Sequence, residues 1–378
     1  MSKRGQNEGS IYKREDGRWT AVLNLGYVGG KRKRKSFYGN TRKEVKEQLT
    51  AAMLAQEQGL FVPTERQTVQ TFLLSWLDDV VKQKNRLTTY YSYKEIVDYH
   101  LNPDLGHFQL AKLTPQEVQS LLNRKLESGL APRMVQYIRA VLRIALGKAL
   151  KWGLVPQNVA RLVDTPRVPK YEPHFLDPEQ SRRLLVVVQQ HRLASLYTVV
   201  LALGLRKGEA LGLRWEDVDF EKQQIIVRMN LQFIKGQFHM LETKSAKGYR
   251  VIALPDFALT SLREHQARQA VEREIAGEAW KEHGLVYPTS LGTPYHASNI
   301  NRIFNRLLIT AGLQHLRVHD LRHTCASLLI AQGVHARVIM EVLGHTQISL
   351  TMNTYGHIFP RLKSDAADKL QKLLGDET

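Results

Sequence analysis

The sequence predicts a mainly α protein with small β elements: a basic N-terminal module of a three-stranded β-sheet plus helix, an all-helical middle domain, and a mixed α+β, mostly α, C-terminal domain. Three observations predict it. Apolar residues recur at three- and four-residue steps over most of the chain after residue 64, the signature of helices with one buried stripe. Short β-prone runs are confined to the first forty residues and to a stretch near residues 224–253. The 378 residues suffice for about two or three domains of ~150 residues each, and a proline- and charge-rich segment, TPRVPKYEPHFLDPE, offers a linker between two of them.

Residues 1–63 form the first part. Ser10 to Tyr12, Trp19 to Leu25 and Ser36 to Tyr38 are the β-prone runs, separated by Glu15-Asp16-Gly17 and by Gly26 through Lys35 with its Gly29-Gly30 pair. Thr41 and Glu44 make a capping box, and Val45, Leu49, Ala52 and Met53 give the helix that follows its apolar face. The segment carries 13 basic and 6 acidic side chains. Lys31, Arg32, Lys33, Arg34 and Lys35 sit in or beside a hairpin, with Trp19, Phe37 and Tyr38 nearby, as a sheet laid against a DNA groove requires. A solvated charged loop is the plainer alternative.

The middle part, 64–165, is helical throughout. Phe72, Trp76, Leu77 and Val80 share a face, and Thr114-Pro115-Gln116-Glu117 opens another helix with a cap, a first-turn proline and an acidic third position. The longest helix, Pro132 to Trp152, stacks Val135, Ile138, Val141, Leu142, Ala145 and Ala149, and Gly153 ends it. Its Arg133, Arg139, Arg143, Lys148 and Lys151 lie outside that stripe, and serve either a DNA backbone or ordinary solubility. The linker spans 166–173, and the last domain 174–378.

In that domain Asp177-Pro178 caps a helix, and Leu184, Leu185, Val188, Leu196, Val199 and Leu203 are its expected core. GLRKGEALGLRWEDVD follows, in which one helical turn sets Glu209 beside Arg206. Such a pair is commonly a surface ion pair. Strands at Gln224–Arg228 and Leu231–Met240 lead into LETKSAKGYRVIAL, a lysine-bearing turn and a returning strand. Then comes HLRVHDLRHTCASLLIAQGVHARVIMEVLGHTQISLTMNTY. His319 and Arg322 share a helix face, Gly333 and Gly344 are stops, and His345 sits at the carbonyl end of a helix, where the dipole favours a protonated imidazole. Tyr355 lies in a Thr/Asn-rich segment.

The order Arg206, His319-x-x-Arg322, Leu343-Gly344-His345 and Tyr355, together with G-L-R-x-x-E-x-x-x-L-x-W-x-D-V, resembles the tyrosine recombinase (phage integrase) family. Leu203 stands where many members have Thr, and Gly248 where Ser is common. The resemblance implies an arm-site DNA-binding domain at 1–63, a helical core-binding (SAM-like) domain at 64–165 and a catalytic domain at 174–378. It also implies a site-specific recombinase that integrates or excises a phage or integrative element, with Lys244 as the hairpin's catalytic lysine and Lys247 its competitor. Double-stranded DNA at core and arm sites is the implied partner, with a homotetramer on DNA and an excisionase or DNA-bending protein beside it.

The groups themselves suit phosphodiester cleavage, which builds negative charge on the non-bridging oxygens. Two guanidiniums, Arg206 and Arg322, with His345, would clamp that charge. Tyr355 would attack phosphorus, His319 would take its proton, and Lys244 would protonate the departing 5′-oxygen. Neither a metal nor a cofactor is needed, because the bond energy stays in the 3′-phosphotyrosyl link.

Composition points the same way. The net charge of +18 implies a polyanionic partner. A single cysteine, Cys325, excludes an internal disulfide and fits a reducing cytoplasm, here bacterial and on the nucleoid. The polar MSKRGQNEGS is unlike a signal peptide, and no apolar run approaches the ~18 residues of a membrane span. Two rivals stand beside the recombinase: a DNA-binding protein without catalysis, and a zinc hydrolase using His319 and His323 in an H-E-x-x-H-like HDLRH.

Overall fold

The three β-prone runs at the front pair as an antiparallel sheet in the computed structural model, which describes residues 9–28, 31–57, 67–169, 174–243, 248–344, 371 and 374. By backbone contacts the chain divides into two units, Met1–Lys170 and Tyr171–Thr378. In the first, β1 (Ser10–Lys13), β2 (Trp19–Val28) and β3 (Lys31–Gly39) lie in the order β1-β2-β3, backed by α1 (Arg42–Glu57). Both β2 and β3 run further than the sequence suggests. Pairing continues past a bulge near residues 25–26 to Tyr27 with Arg32 and Val28 with Lys31, so the basic run is strand, not loop.

Alternation along β3 then separates what the sequence groups together. Lys35 pairs with Leu23 and lies over the Phe37 ring on the helix side, whereas Arg34, paired with Asn24, is on the opposite face. Trp19 and Phe37 pack on the Ala21, Leu23 and Val45 core against α1, so they are not on the open face; Tyr12 and Tyr38 are. Thr41 accepts from the Glu44 amide as expected, but Glu44 reaches back to the Asn40 amide.

Helices alone follow in this unit. Thr68 caps α2 (Val69–Trp76), which passes through a π-helical turn at Leu77–Val81 into α3 (Lys82–Lys84). Likewise α4 (Leu87–Ile96) passes through Val97–Leu101 into α5 (Asn102–Leu105). Each π turn absorbs an extra residue, so the neighbours Trp76 and Leu77, and Ile96 and Val97, are all buried. This also explains why Val81 is buried and Val80, expected on the buried face, only partly so.

The Thr114–Glu117 capping box opens α6 (Pro115–Glu127), and α7 (Pro132–Lys151) buries its expected stripe. Arg139 on α7 donates to the Ala160 carbonyl at 2.9 Å, and Lys148 lies over the Trp152 ring. Those two cations are therefore engaged locally, while Arg133, Arg143 and Lys151 are exposed.

The second unit is built around one apolar helix. Asp177 and Gln180 cap α8 (Pro178–Gln189), and α9 (Ala194–Leu203) follows, buried along nearly its whole length because it is apolar all round. Next is α10 (Lys207–Leu211), then β4 (Val218–Asp219), β5 (Gln224–Val227), β6 (Met229–Ile234), β7 (Gln237–Glu242) and β8 (Arg250–Ala253). The strands form two sheets, β4-β5-β8 and β6-β7. Leu231–Met240, read as one strand, is a hairpin that turns at Lys235 and Gly236, both at positive φ as a tight hairpin requires.

The remaining helices are α11 (Asp256–Ala276), α12 (Ala297–Thr310), α13 (Asp320–Ala331) and α14 (Ala336–Leu343). The helices α8, α11 and α13 pack against α9. Cys325 of α13 is a buried thiol near the Ala202 carbonyl, and burial pushes its pKa up to about 12. Among the described residues no helix is long and apolar enough to cross a membrane.

Candidate active site

Four chain segments meet at the C-terminal end of α9. Gly204 ends that helix in the left-handed conformation, φ 61°, and a Cβ there would overlap the Leu343 side chain. The close approach brings α14 against the loop that presents Arg206. Gly344, also left-handed at φ 65°, ends α14 in turn. The sequence locates the stop at Gly344, but not that the last residue of the helix it ends, Leu343, is set against Gly204.

Arg206 is the residue before α10, and Glu209 lies one turn into it. The Arg206 guanidinium donates from Nη1 to Glu209 Oε1 at 2.6 Å and from Nη2 to the Gly344 carbonyl at 3.2 Å. Its own amide donates to Glu209 Oε2 at 3.0 Å. The Arg206 side chain remains 42% exposed while that of Glu209 is 3% exposed, so a buried carboxylate aims an accessible cation. This is more than the surface ion pair that the spacing alone suggests.

Arg322 sits deeper. It lies in the first turn of α13, 2% exposed, donating from Nη1 to the Gly204 carbonyl at 2.7 Å and from Nη2 to the Leu343 carbonyl at 2.5 Å. His319 is the residue just before α13, in helical backbone conformation, and is solvent-accessible where Arg322 is buried. Its imidazole is nonetheless enclosed enough that desolvation, aided by the neighbouring His323 and the Arg322 guanidinium, lowers its pKa to about 4. A neutral ring at pH 7 can accept a proton, as a general base must.

Arg250 is the member that sequence reasoning missed. It opens β8 with its side chain 7% exposed and donates from Nη2 to Glu209 Oε2 at 2.9 Å. It also donates from Nε to the Val342 carbonyl at 2.7 Å and from Nη1 to the Gly248 carbonyl at 3.3 Å. One signal was available: in Arg250-Val251-Ile252-Ala253 the arginine is in phase with the inward Ile252. Three arginines from three elements thus hold three consecutive carbonyls, Val342, Leu343 and Gly344, at the negative end of α14.

The Glu209 pKa records this. Burial alone would raise it, but Arg250 and then Arg206 outweigh that penalty and hold the carboxylate below its usual range. Burial also lowers the pKa of Lys207, whose ammonium donates to Asn301 at 3.2 Å. In HDLRH the one carboxylate is engaged elsewhere. Asp320 is 2% exposed and accepts from Arg317 Nη2 at 2.7 Å and Nε at 3.1 Å, leaving it poorly placed to serve a metal site. The His319 and His323 rings meet edge to face.

Arg206 and Arg322 are therefore brought together at the end of α14, on the carbonyls of Gly344 and Leu343, the two residues before His345, and His319 lies near enough to Arg322 for its charge to bear on the imidazole. Lys244, its competitor Lys247, His345 and Tyr355 lie outside the described residues, as does most of the segment after Gly344. The two ends of the lysine loop are described: a Cβ at Gly248 would meet the Thr243 side chain at 2.6 Å, so the loop is pinched shut at its base.

This arrangement, three arginines and a carboxylate where the buried apolar helix α9 meets α13 and α14, defines a catalytic domain of the integrase type, and comparison with known proteins agrees. The phage integrase family matches residues 174–361, and the phage integrase N-terminal SAM-like domain matches residues 68–126. A "Tyrosine recombinase XerC-like" protein of Caldanaerobacter subterraneus subsp. tengcongensis is 28% identical over 91% of this chain and 93% of its own. The ICEBs1 integrase of Bacillus subtilis is 26% identical over 97% of this chain and 100% of its own. Among solved structures, the Tn1549 transposon integrase in complex with transposon right end DNA superposes with a TM-score of 0.68 at 19% identity, covering 82% of this chain and 100% of that one. A lambda integrase dimer bound to a core site gives 0.56 at 17% identity, covering 93% and 96%.

The chain belongs to the phage integrase family of tyrosine recombinases. Its activity is that of the family, cleavage and rejoining of DNA strands.

Proposed function

We propose that the chain is the integrase of a phage or integrative element, cutting each strand through a 3′-phosphotyrosyl link to Tyr355. Arg206 and Arg322 clamp the non-bridging oxygens of the scissile phosphate, with His345 as a third donor. His319 takes the tyrosine proton, and Lys244 protonates the leaving 5′-oxygen. The freed 5′-hydroxyl of a second strand then attacks the phosphotyrosyl link in reverse, so no ATP and no metal enter the cycle.

The observation that carries this reading is the pair of arginines meeting on neighbouring carbonyls, Leu343 and Gly344, one residue from His345. A protein that only binds DNA does not need two arginines converging on one phosphate, the role this reading gives them.

The organisation we propose follows from this. Residues 1–63 bind arm sites, 64–165 bind the core site beside the cut, and 174–378 carry catalysis, joined by the linker 166–173. Of the basic run, Arg34 lies on the open face of the sheet with Tyr12 and Tyr38, which supports that face as the DNA surface. Relatives of this fold include a lambda integrase tetramer bound to a Holliday junction, and we propose a homotetramer on DNA here. The tail after residue 363 would couple its members, with an excisionase or DNA-bending protein biasing direction. The work would be done in the bacterial cytoplasm, on the nucleoid.

The test is covalent trapping. The protein is incubated with nicked duplexes drawn from the flanks of its own gene, denatured, and run on a gel. A DNA-shifted band that Tyr355→Phe abolishes establishes the nucleophile. If a bound, cleavable site gives no band, the reading is wrong and the chain only binds DNA.

A further inference from the structure

Arg250 spends all three of its guanidinium nitrogens inside the protein: one on Glu209, one on the Val342 carbonyl and one on the Gly248 carbonyl. Its side chain is 7% exposed, and each of the three nitrogens already has a protein acceptor. Yet the carboxylate it holds is the one that aims Arg206, whose side chain is 42% exposed. Two arginines therefore share one carboxylate and divide the labour, the buried one setting the carboxylate and the accessible one being set by it.

The division follows from the geometry of the acceptor. Glu209 Oε1 takes Arg206 Nη1, and Oε2 takes both the Arg206 amide and Arg250 Nη2. Without Arg250, a carboxylate 3% exposed would keep a single cation that is itself half in solvent, and a buried charge so weakly paired reorients or takes up a proton. The Arg206 fork would lose its fixed direction, and misplacing a group that stabilises charge in the transition state by about 1 Å can cost ~10²-fold in rate.

The other two bonds of Arg250 extend the same control. Through Val342 it holds the last turn of α14, whose next two carbonyls receive Arg322 and Arg206. Through Gly248 it closes the base of the loop between β7 and β8.

We propose that Arg250 is a positioning residue for strand cleavage, acting on Arg206 through the Glu209 carboxylate and locking it to the last turn of α14. This rests on the reading of Arg206 as part of the phosphate clamp.

The test uses the full chain and nicked duplexes from its gene flanks, carrying at the scissile position either an ordinary phosphate or a methylphosphonate. The methyl group removes the negative charge that a guanidinium clamp must neutralise. On the ordinary phosphate, Arg250→Met should slow covalent adduct formation by about 10–100-fold, the usual cost of losing an outer-shell partner, with DNA affinity unchanged. On the methylphosphonate, the deficits of Arg206→Ala and of Arg250→Met should both shrink.

If the Arg206→Ala deficit shrinks and that of Arg250→Met does not, Arg250 is a structural ion pair and the inference is overturned. If Arg206→Ala shows no deficit on the ordinary phosphate, the clamp reading falls and takes the inference with it, a distinguishable failure. Should Arg250→Met unfold, Arg250→Lys keeps the cation beside Glu209 but cannot span Val342 and Gly248. It should show a smaller deficit with the same dependence on phosphate charge, and a deficit equal on both substrates would overturn the proposal.

Discussion

Arg322 donates to the Gly204 carbonyl at 2.7 Å, which fastens the first turn of α13 to the loop that presents Arg206. The bond makes the deeper arginine a joint between elements as well as a catalytic candidate. Its second bond, to Leu343, completes the joint with α14.

Replacing Arg322 by Lys should therefore cost both stability and cleavage. A single ammonium cannot reach two carbonyls in the directions a planar fork serves. Loss of one charge-assisted bond in a buried site costs about 1.5–3 kcal/mol, and loss of a transition-state donor ~10²–10³-fold in rate. Thermal unfolding and adduct formation measure the two separately. A normal cleavage rate in Arg322→Lys would exclude the clamp role.

Gly204→Ala tests the seam between α9 and α14. The left-handed backbone disfavours a Cβ by about 1–2 kcal/mol, and its overlap with Leu343 adds about 1–3 kcal/mol of overpacking. Trimming Leu343 to Ala in the same chain should recover part of the loss. If the double variant is as unstable as the sum of the singles, the two side chains do not meet.

His265 predicts a dependence of stability on pH. It is 2% exposed, its Nε2 lies 2.7 Å from the Val286 carbonyl, and burial pushes its pKa down to about 4. Unfolded, the ring titrates near ~6.5, so between the two values the unfolded chain binds a proton that the folded one refuses. The contribution is complete above pH ~6.5 and is lost as pH falls towards ~4, to a limit of about 3 kcal/mol. Melting temperatures should fall over that interval, and less steeply in His265→Gln, whose amide can still donate to Val286.

The two rival readings give opposite results with a chelator. Asp320 is engaged by Arg317, so a recombinase should form its covalent adduct at an unchanged rate in EDTA. A loss that zinc restores would reinstate the hydrolase.

Arg34 is the residue to change in the N-terminal module. If it meets a phosphate, Arg34→Ala should weaken binding of duplexes from the gene flanks and lower the slope of log affinity against log salt by about 1. An unchanged slope would mean that the open face of the sheet does not meet the DNA backbone there.

Much of this molecule is legible in the chain itself, for local reasons. Caps at Thr114 and Asp177, stops at Gly153 and Gly344, and the stripe of α7 are each decided within a turn or two of backbone, so their residues announce them. The order of Arg206, His319 and Arg322 is likewise readable, because the roles of guanidinium and imidazole follow from their chemistry. What lay beyond reach depended on long-range pairing. The course of β3 through the basic run is set by its partner β2, and that pairing sends Arg34 and Lys35 to opposite faces.

Arg250 shows the limit most clearly. In sequence it is one of 54 basic residues, 41 positions after Glu209 and 92 before Val342. Only the packing of α9, α10, β8 and α14 brings those groups within hydrogen-bonding distance, where burial makes each polar contact obligatory. The sequence by itself determined which side chains could handle a phosphate. The tertiary structure decided which of them are fixed, and by what, because aiming a charge requires partners that come from other parts of the chain.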